Sequence, residues 1–292
     1  MSDLPRIAML WVEGRLSFLE RLCAQSFLDR GHAVDFYHYG PVEGVPEGCR
    51  LVHGREILDR TRFLADAKTG SVAPFSDVFR YHLLAARDGV VWADTDAYCH
   101  RPFRPASGYY FGWQSRRAIA TGVLAMPAGS PALADLVEMT RDEYAIPFWL
   151  GADKAAEMRA RRDAGDPVHV SRMPWATWGP KAATAFLKRS GEADHGLAPE
   201  SLYPVPYRKR RLMARSGTRR RAVRTMTSST VSIHFYGRRM REHLANKYGG
   251  LPAEGSLLDV LCRRHGIDAE AAPVTRKPAP EAAAPEAAAA AD

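Results

Sequence analysis

A chain of 292 residues, 46% hydrophobic and 25% charged, has ample apolar material for one large core and the composition of an ordinary soluble globular protein. No apolar run approaches the roughly 18 residues needed to cross a bilayer. Met1 to Arg6 leads straight into a short apolar strand with no signal-peptide layout, so the chain is expected to work in the cytoplasm. The formal net charge of +8 is local, because Arg208 to Arg224 contain nine basic residues and no acid. Cys23, Cys49, Cys99 and Cys262 are scattered without a Cys-x-x-Cys pair, which favours buried thiols over disulfides or a zinc site.

In chain order, Ile7 to Val12 reads as a strand. Leu16 to Arg30 follows as an amphipathic helix with Leu16, Leu19, Cys23 and Phe27 on one stripe and Gly31 closing it. Ala33 to Tyr39 is a second strand. Nucleotide-binding α/β domains open in this way, but no Gly-x-Gly-x-x-Gly follows, so a dinucleotide fold is not supported. Trp11 ends the first strand and is either a platform for a nucleotide base or a core residue. Pro41 to Cys49 is a loop, and Arg50 to Lys68 is expected to carry a short strand and a helix.

The central unit comes next. Pro74 to Asp88 reads as a helix with proline at its start and Gly89 in the place of a left-handed cap. Val90 to Trp92 is a buried strand that runs into Asp94-Thr95-Asp96. Residues i and i+2 of a strand point the same way, so the two carboxylates share a site if the strand continues through them. Hard cations such as Mg²⁺ and Mn²⁺ take oxygen ligands and substrate phosphates, which gives such a pair a purpose. Asp77 and Arg80 lie three apart on the helix, either as a surface ion pair or as part of the same site.

Phe75-Ser76-Asp77-Val78-Phe79-Arg80-Tyr81 followed by Gly89-Val90-Val91-Trp92-Ala93-Asp94-Thr95-Asp96 resembles the sugar-binding region of family 32 glycosyltransferases. Asp88 stands where that family has a first glycine, and Trp92 where it has a tyrosine. The resemblance implies an α/β fold of the GT-A type, with a mixed, mostly parallel central sheet flanked by helices over residues 1–268. It implies a metal held by Asp94 and Asp96, donor contacts from Trp11, Asp77, Arg80, Asp94 and Thr121, and catalytic roles for Arg80, Asp94 and Asp96. Thr121 lies in Ala120-Thr121-Gly122, where relatives often carry an asparagine that contacts the donor sugar.

Tyr109 to Trp113 and Ala120 to Met126 read as strands, and Ser130 to Glu143 as a helix capped by Ser130. Trp175 to Lys181 resembles the family's Gly-Pro block before a helix, Pro180 to Arg189. Trp175 and Trp178 either line an acceptor groove or anchor the core. Arg208 to Arg224 is expected as a loop, either solvated or in peripheral contact with anionic lipid, an acidic glycan or nucleic acid. Val231 to Tyr236 resembles the family's closing strand, and His234 becomes a third candidate metal ligand that tilts the preference towards Mn²⁺. Ser256 caps a last helix. From Ala269 to Asp292 the chain is rich in Ala, Pro and Glu and is expected to be a disordered tail.

The function implied is metal-dependent, retaining transfer of a sugar from a nucleoside diphosphate to a glycan or lipid-linked hydroxyl, in cell-surface polysaccharide synthesis. Two alternatives are weighed. One is a haloacid-dehalogenase-like phosphatase with Asp94 as nucleophile; the other is a non-catalytic polyanion or nucleic-acid binder using Arg208 to Arg224.

Overall fold

The computed structural model describes residues 4–60 and 62–275. Strands β1 (Arg6–Leu10), β2 (Val34–His38), β3 (Cys49–His53), β4 (Val90–Ala93), β6 (Tyr110–Ser115) and β7 (Ala118–Ala125) form one six-stranded sheet in the order β3-β2-β1-β4-β7-β6. The first four of these strands are parallel; β7 pairs antiparallel with β4, and β6 antiparallel with β7. A short antiparallel pair, β5 (Ala97–Cys99) with β8 (Ser232–His234), lies beyond the sheet.

Both faces of the sheet are covered, as a parallel sheet requires. Along β1, Ile7 and Met9 join a core with α1 (Phe18–Leu28), while Ala8 and Leu10 enter the core of the opposite face. That second core contains α2 (Ala73–Ala86), α3 (Pro131–Met139), Met158 of α4 (Ala152–Asp163) and α5 (Ala182–Arg189), while α6 (Pro199–Leu202) joins the first core through Leu202. A third core joins α1 to the C-terminal helices α8 (Gly237–Tyr248) and α9 (Leu257–Arg264). Glu20 links these parts: it closes the capping box with Ser17 at the start of α1 and pairs with Arg241 of α8.

The expected elements recur with small boundary shifts, and four expectations need correction. Arg50 to Lys68 carries the strand but no α-helix, only a turn at Gly54–Glu56. The Leu58 carbonyl is taken by the Tyr39 hydroxyl (2.7 Å), and Asp66 turns the chain by accepting the Thr69 amide, so the single turn at Gly54 does not propagate into a helix. The strand does not run through Asp94 to Asp96. β4 stops at Ala93, and a turn closed by the Ala97 amide on the Asp94 carbonyl (2.9 Å) brings the carboxylates together.

Arg208 to Arg224 is not a loop. It forms a 3₁₀ segment, Tyr207–Met213, and helix α7 (Arg219–Val223), pinned by the buried Met213, Ala214 and Ala222. The tail expected from Ala269 is packed over its first residues. Ala272 and Val274 are buried, and their backbone meets Phe18 (2.7 Å) and Gly250 (3.0 Å); residues 276–292 lie outside the described part. No helix among the described residues is long and apolar enough to cross a membrane.

Candidate functional site

The strand order reverses between β1 and β4: from β1 the chain builds outward through β2 and β3, then returns to place β4 on the other side. In open α/β sheets the crevice at the carboxyl ends of such strands is where ligands bind. A cavity of about 610 Å³ opens there, within the range of small-molecule sites. Asp77, Arg80, Asp94, Asp96, Thr121, His234, Trp175 and Trp178 all line it, so eight of the nine residues singled out from the sequence converge.

Arg80 is the hub of this group. It is 4% exposed, and its Nη2 lies 3.2 Å from Asp94 and 3.3 Å from Asp77. Nε donates to the Ser76 carbonyl (3.1 Å), Nη1 to the Thr121 carbonyl (2.5 Å), and the plane lies 4.9 Å from the Trp92 ring centroid. The guanidinium is thus saturated by the protein. It orients Asp94 and compensates two buried carboxylates rather than reaching into open space. Trp92 completes this support, its Nε1 donating to Asp94 Oδ1 at 2.8 Å.

Asp94, Asp96 and His234 place one ligand atom each within 4.8 Å of one another. The pairing of β8 with β5 sets this up: His234 lies opposite Ala97, and the Phe235 amide donates to the Asp96 carbonyl at 2.9 Å. Asp96 Oδ2 accepts the Gly237 amide at the start of α8. Asp96 Oδ1 and His234 Nδ1 are both buried without a hydrogen bond, 3.4 Å apart and misaligned for one. Two unsatisfied buried polar atoms facing each other cost stability unless something bridges them. Two carboxylates and an imidazole fit a divalent cation of the Mg²⁺ or Mn²⁺ kind, the imidazole favouring Mn²⁺.

Three glycines make room for the three carboxylates. A Cβ at Gly122 would meet His234 Cε1 at 2.9 Å and Asp94 Oδ2 at 3.3 Å; one at Gly179 would meet Asp77 Oδ2 at 2.5 Å; one at Gly237 would meet Asp96 Oδ2 at 2.9 Å. Ala176 (φ 64°) and Tyr236 (φ 57°) are the only non-glycine residues at positive φ among the described residues, and both line this cavity. Such strain, about 1–3 kcal/mol each, gathers at functional sites. None of these five residues was singled out from the sequence as part of the site, because their role depends on what packs against them.

The remaining candidates separate. Thr121 contributes its carbonyl to Arg80 and lines the cavity. Trp175 is 46% exposed at the rim with Arg238 stacked 4.5 Å from its centroid. Trp178 is 2% exposed and belongs to the core, although it closes one wall. Trp11 does not line the cavity; its ring lies 5.8 Å from the Arg241 guanidinium. Arg238, with Nη1 buried and unpaired, is a cavity cation that the sequence reading missed.

Burial pushes the Asp77 carboxyl up to about 7, with Arg80 pulling it down and the charge of Asp94 adding to the rise. Between the ordinary carboxylate range and about 7 the folded protein therefore holds a proton that the unfolded chain has released. Stability from this group falls as pH rises through that window. In metal-free buffer, Asp77→Asn should gain melting temperature relative to wild type as pH climbs from 5 to 8. A constant difference between the two proteins across that range would show that Asp77 ionises normally.

No protein-family model matches this chain, and no curated protein matches it.

Proposed function

We propose that the protein is a glycosyltransferase of the GT-A type, resembling family 32, that moves a sugar from a nucleoside diphosphate to a hydroxyl of a glycan or lipid-linked acceptor. The observation that carries this reading is the Asp94–Asp96–His234 cluster, braced by Arg80, in a cavity at the switch point of the sheet.

Asp94, Asp96 and His234 would hold a divalent cation, which would supply positive charge to a leaving diphosphate. The chain's own groups do the rest. Arg80 fixes Asp94 and offsets the negative charge that Asp77 and Asp94 bring to the site. Arg238, at the start of α8, offers a guanidinium to the phosphates. Asp77, free of hydrogen bonds from other described side chains and beside Gly179, is placed to accept from sugar hydroxyls. Trp175 gives an exposed ring on which the C–H face of an acceptor sugar can pack. No side chain of the cavity stands out as a covalent nucleophile. Attack from the leaving-group face, with the departing phosphate taking the acceptor proton, needs none and retains configuration.

The test is thermal stability against UDP, GDP, CDP and ADP, each with and without Mn²⁺. A shift that needs the metal and favours one base is expected. No shift with any nucleotide would remove the transferase reading and turn attention to phosphatase chemistry at Asp94.

A further inference from the structure

Three cavities lie in series on this protein. The main one shares Tyr207 and Arg239 with a second of about 340 Å³, which also takes in Arg210, His243 and Lys247. The second shares Arg211 with a third of about 360 Å³, walled by Arg208, Lys209, Arg211, Arg215 and Arg221. The shared wall residues set the three cavities side by side, leading from the site along the basic stretch. Only Glu242, paired with Arg239 at 2.9 Å, puts a carboxylate on the path beyond the main cavity. None of the five cations around the third cavity has a carboxylate partner among the described residues.

The path is built rather than floppy. Arg210 stacks 4.2 Å from the Tyr207 centroid and donates to the Tyr207 carbonyl, and the 3₁₀ segment is anchored by the buried Met213. His243 Nε2 and Arg210 Nε are buried without hydrogen-bond partners. Burial and the charges of Arg211, Arg215, Arg210 and Lys247 hold the His243 imidazole below its usual range. Like charges crowded in this way destabilise the fold by self-repulsion, and a bound anion relieves it.

We propose that this cationic path binds a phosphate-bearing chain, and that this chain is the acceptor whose end enters the main cavity. The proposal rests on the transferase reading only for the word acceptor. Guanidinium forks suit phosphate oxygens, and cavities in series suit a chain with repeated anionic groups rather than a single ion. A membrane surface fits less well. Apart from Tyr207, Val223 is the only large apolar residue exposed between Tyr207 and Met226, so the face offers no apolar anchor.

The experiment measures binding of a short linear polyphosphate to the full chain, beside orthophosphate, neutral dextran and phosphatidylglycerol vesicles. It is repeated on Arg208→Gln/Arg211→Gln/Arg215→Gln, after checking that the variant melts like wild type. Polyphosphate should bind more tightly than orthophosphate and slow amide exchange across residues 207–215 and 239–247. The triple variant should bind it roughly tenfold or more weakly, through loss of charge-assisted contacts, while its metal-dependent nucleotide shift is unchanged. Equal binding by wild type and variant, or vesicle binding without polyphosphate binding, would overturn the proposal. Polyphosphate binding without any nucleotide shift in wild type would remove the acceptor role together with the transferase reading. A failed polyphosphate arm beside an intact nucleotide shift would remove the path alone.

Discussion

If the proposed function holds, Asp96→Asn should abolish metal-dependent nucleotide binding and reduce sugar transfer by about 100-fold or more, since even outer-shell changes cost 10–100-fold at metal sites. The substitution keeps an oxygen that can accept the Gly237 amide, so the start of α8 is held, while the charge facing His234 is lost. Apo stability should change little or rise slightly. Asp96 Oδ1 is already buried without a partner, and a neutral amide is cheaper to bury than a carboxylate. Calorimetric Mn²⁺ titration and transfer assays on the same preparation separate the two effects. A variant that binds Mn²⁺ as wild type does would mean that Asp96 only caps α8 and that the cluster is not a metal site.

Arg80→Met should have the largest effect on the fold. It leaves Asp77 and Asp94 without their shared cation, and breaking a buried pair from one side costs about 3–5 kcal/mol. Ser76 and the Thr121 carbonyl lose their donors as well. Because the Asp77 carboxyl titrates near 7, protonation softens the loss in acid. Urea unfolding should therefore show a smaller deficit at pH 5 than at pH 8. Arg80→Lys should rescue only part, since an ammonium cannot span two carboxylates and a carbonyl in one plane. Near-wild-type stability for Arg80→Met at pH 8 would mean that the carboxylates find other partners, and the hub described above would fall.

Much of the frame was legible because local rules and tertiary packing agree. Ser17 with Glu20, Ser130 with Pro131, and Ser256 mark helix starts by hydrogen bonds formed within four residues, and they recur in the structure. The alternation along β1 and the apolar run of β4 follow from burial on both faces. The segment after β3 was misread because its helical pattern is outcompeted by Tyr39 and by the Asp66 turn, neither of which periodicity reveals.

By itself the sequence determined the main strands and helices of the central sheet, the pairing of a Ser-Asp-x-x-Arg helix with an Asp-x-Asp strand end, and the concentration of positive charge between Arg208 and Arg224. These depend on residue type and spacing over short stretches. Only the tertiary structure decided that a turn, not strand alternation, joins Asp94 to Asp96, that Arg80 spends its donors inside the protein, and that Trp11 lies outside the cavity lining, near Arg241. It also decided that the basic stretch is folded into a 3₁₀ segment and a short helix that wall cavities beside the main one, instead of floating free. The physical reason is that which donors a side chain satisfies, and which glycine gives it room, depends on residues far away in the chain that only folding brings within a few ångströms.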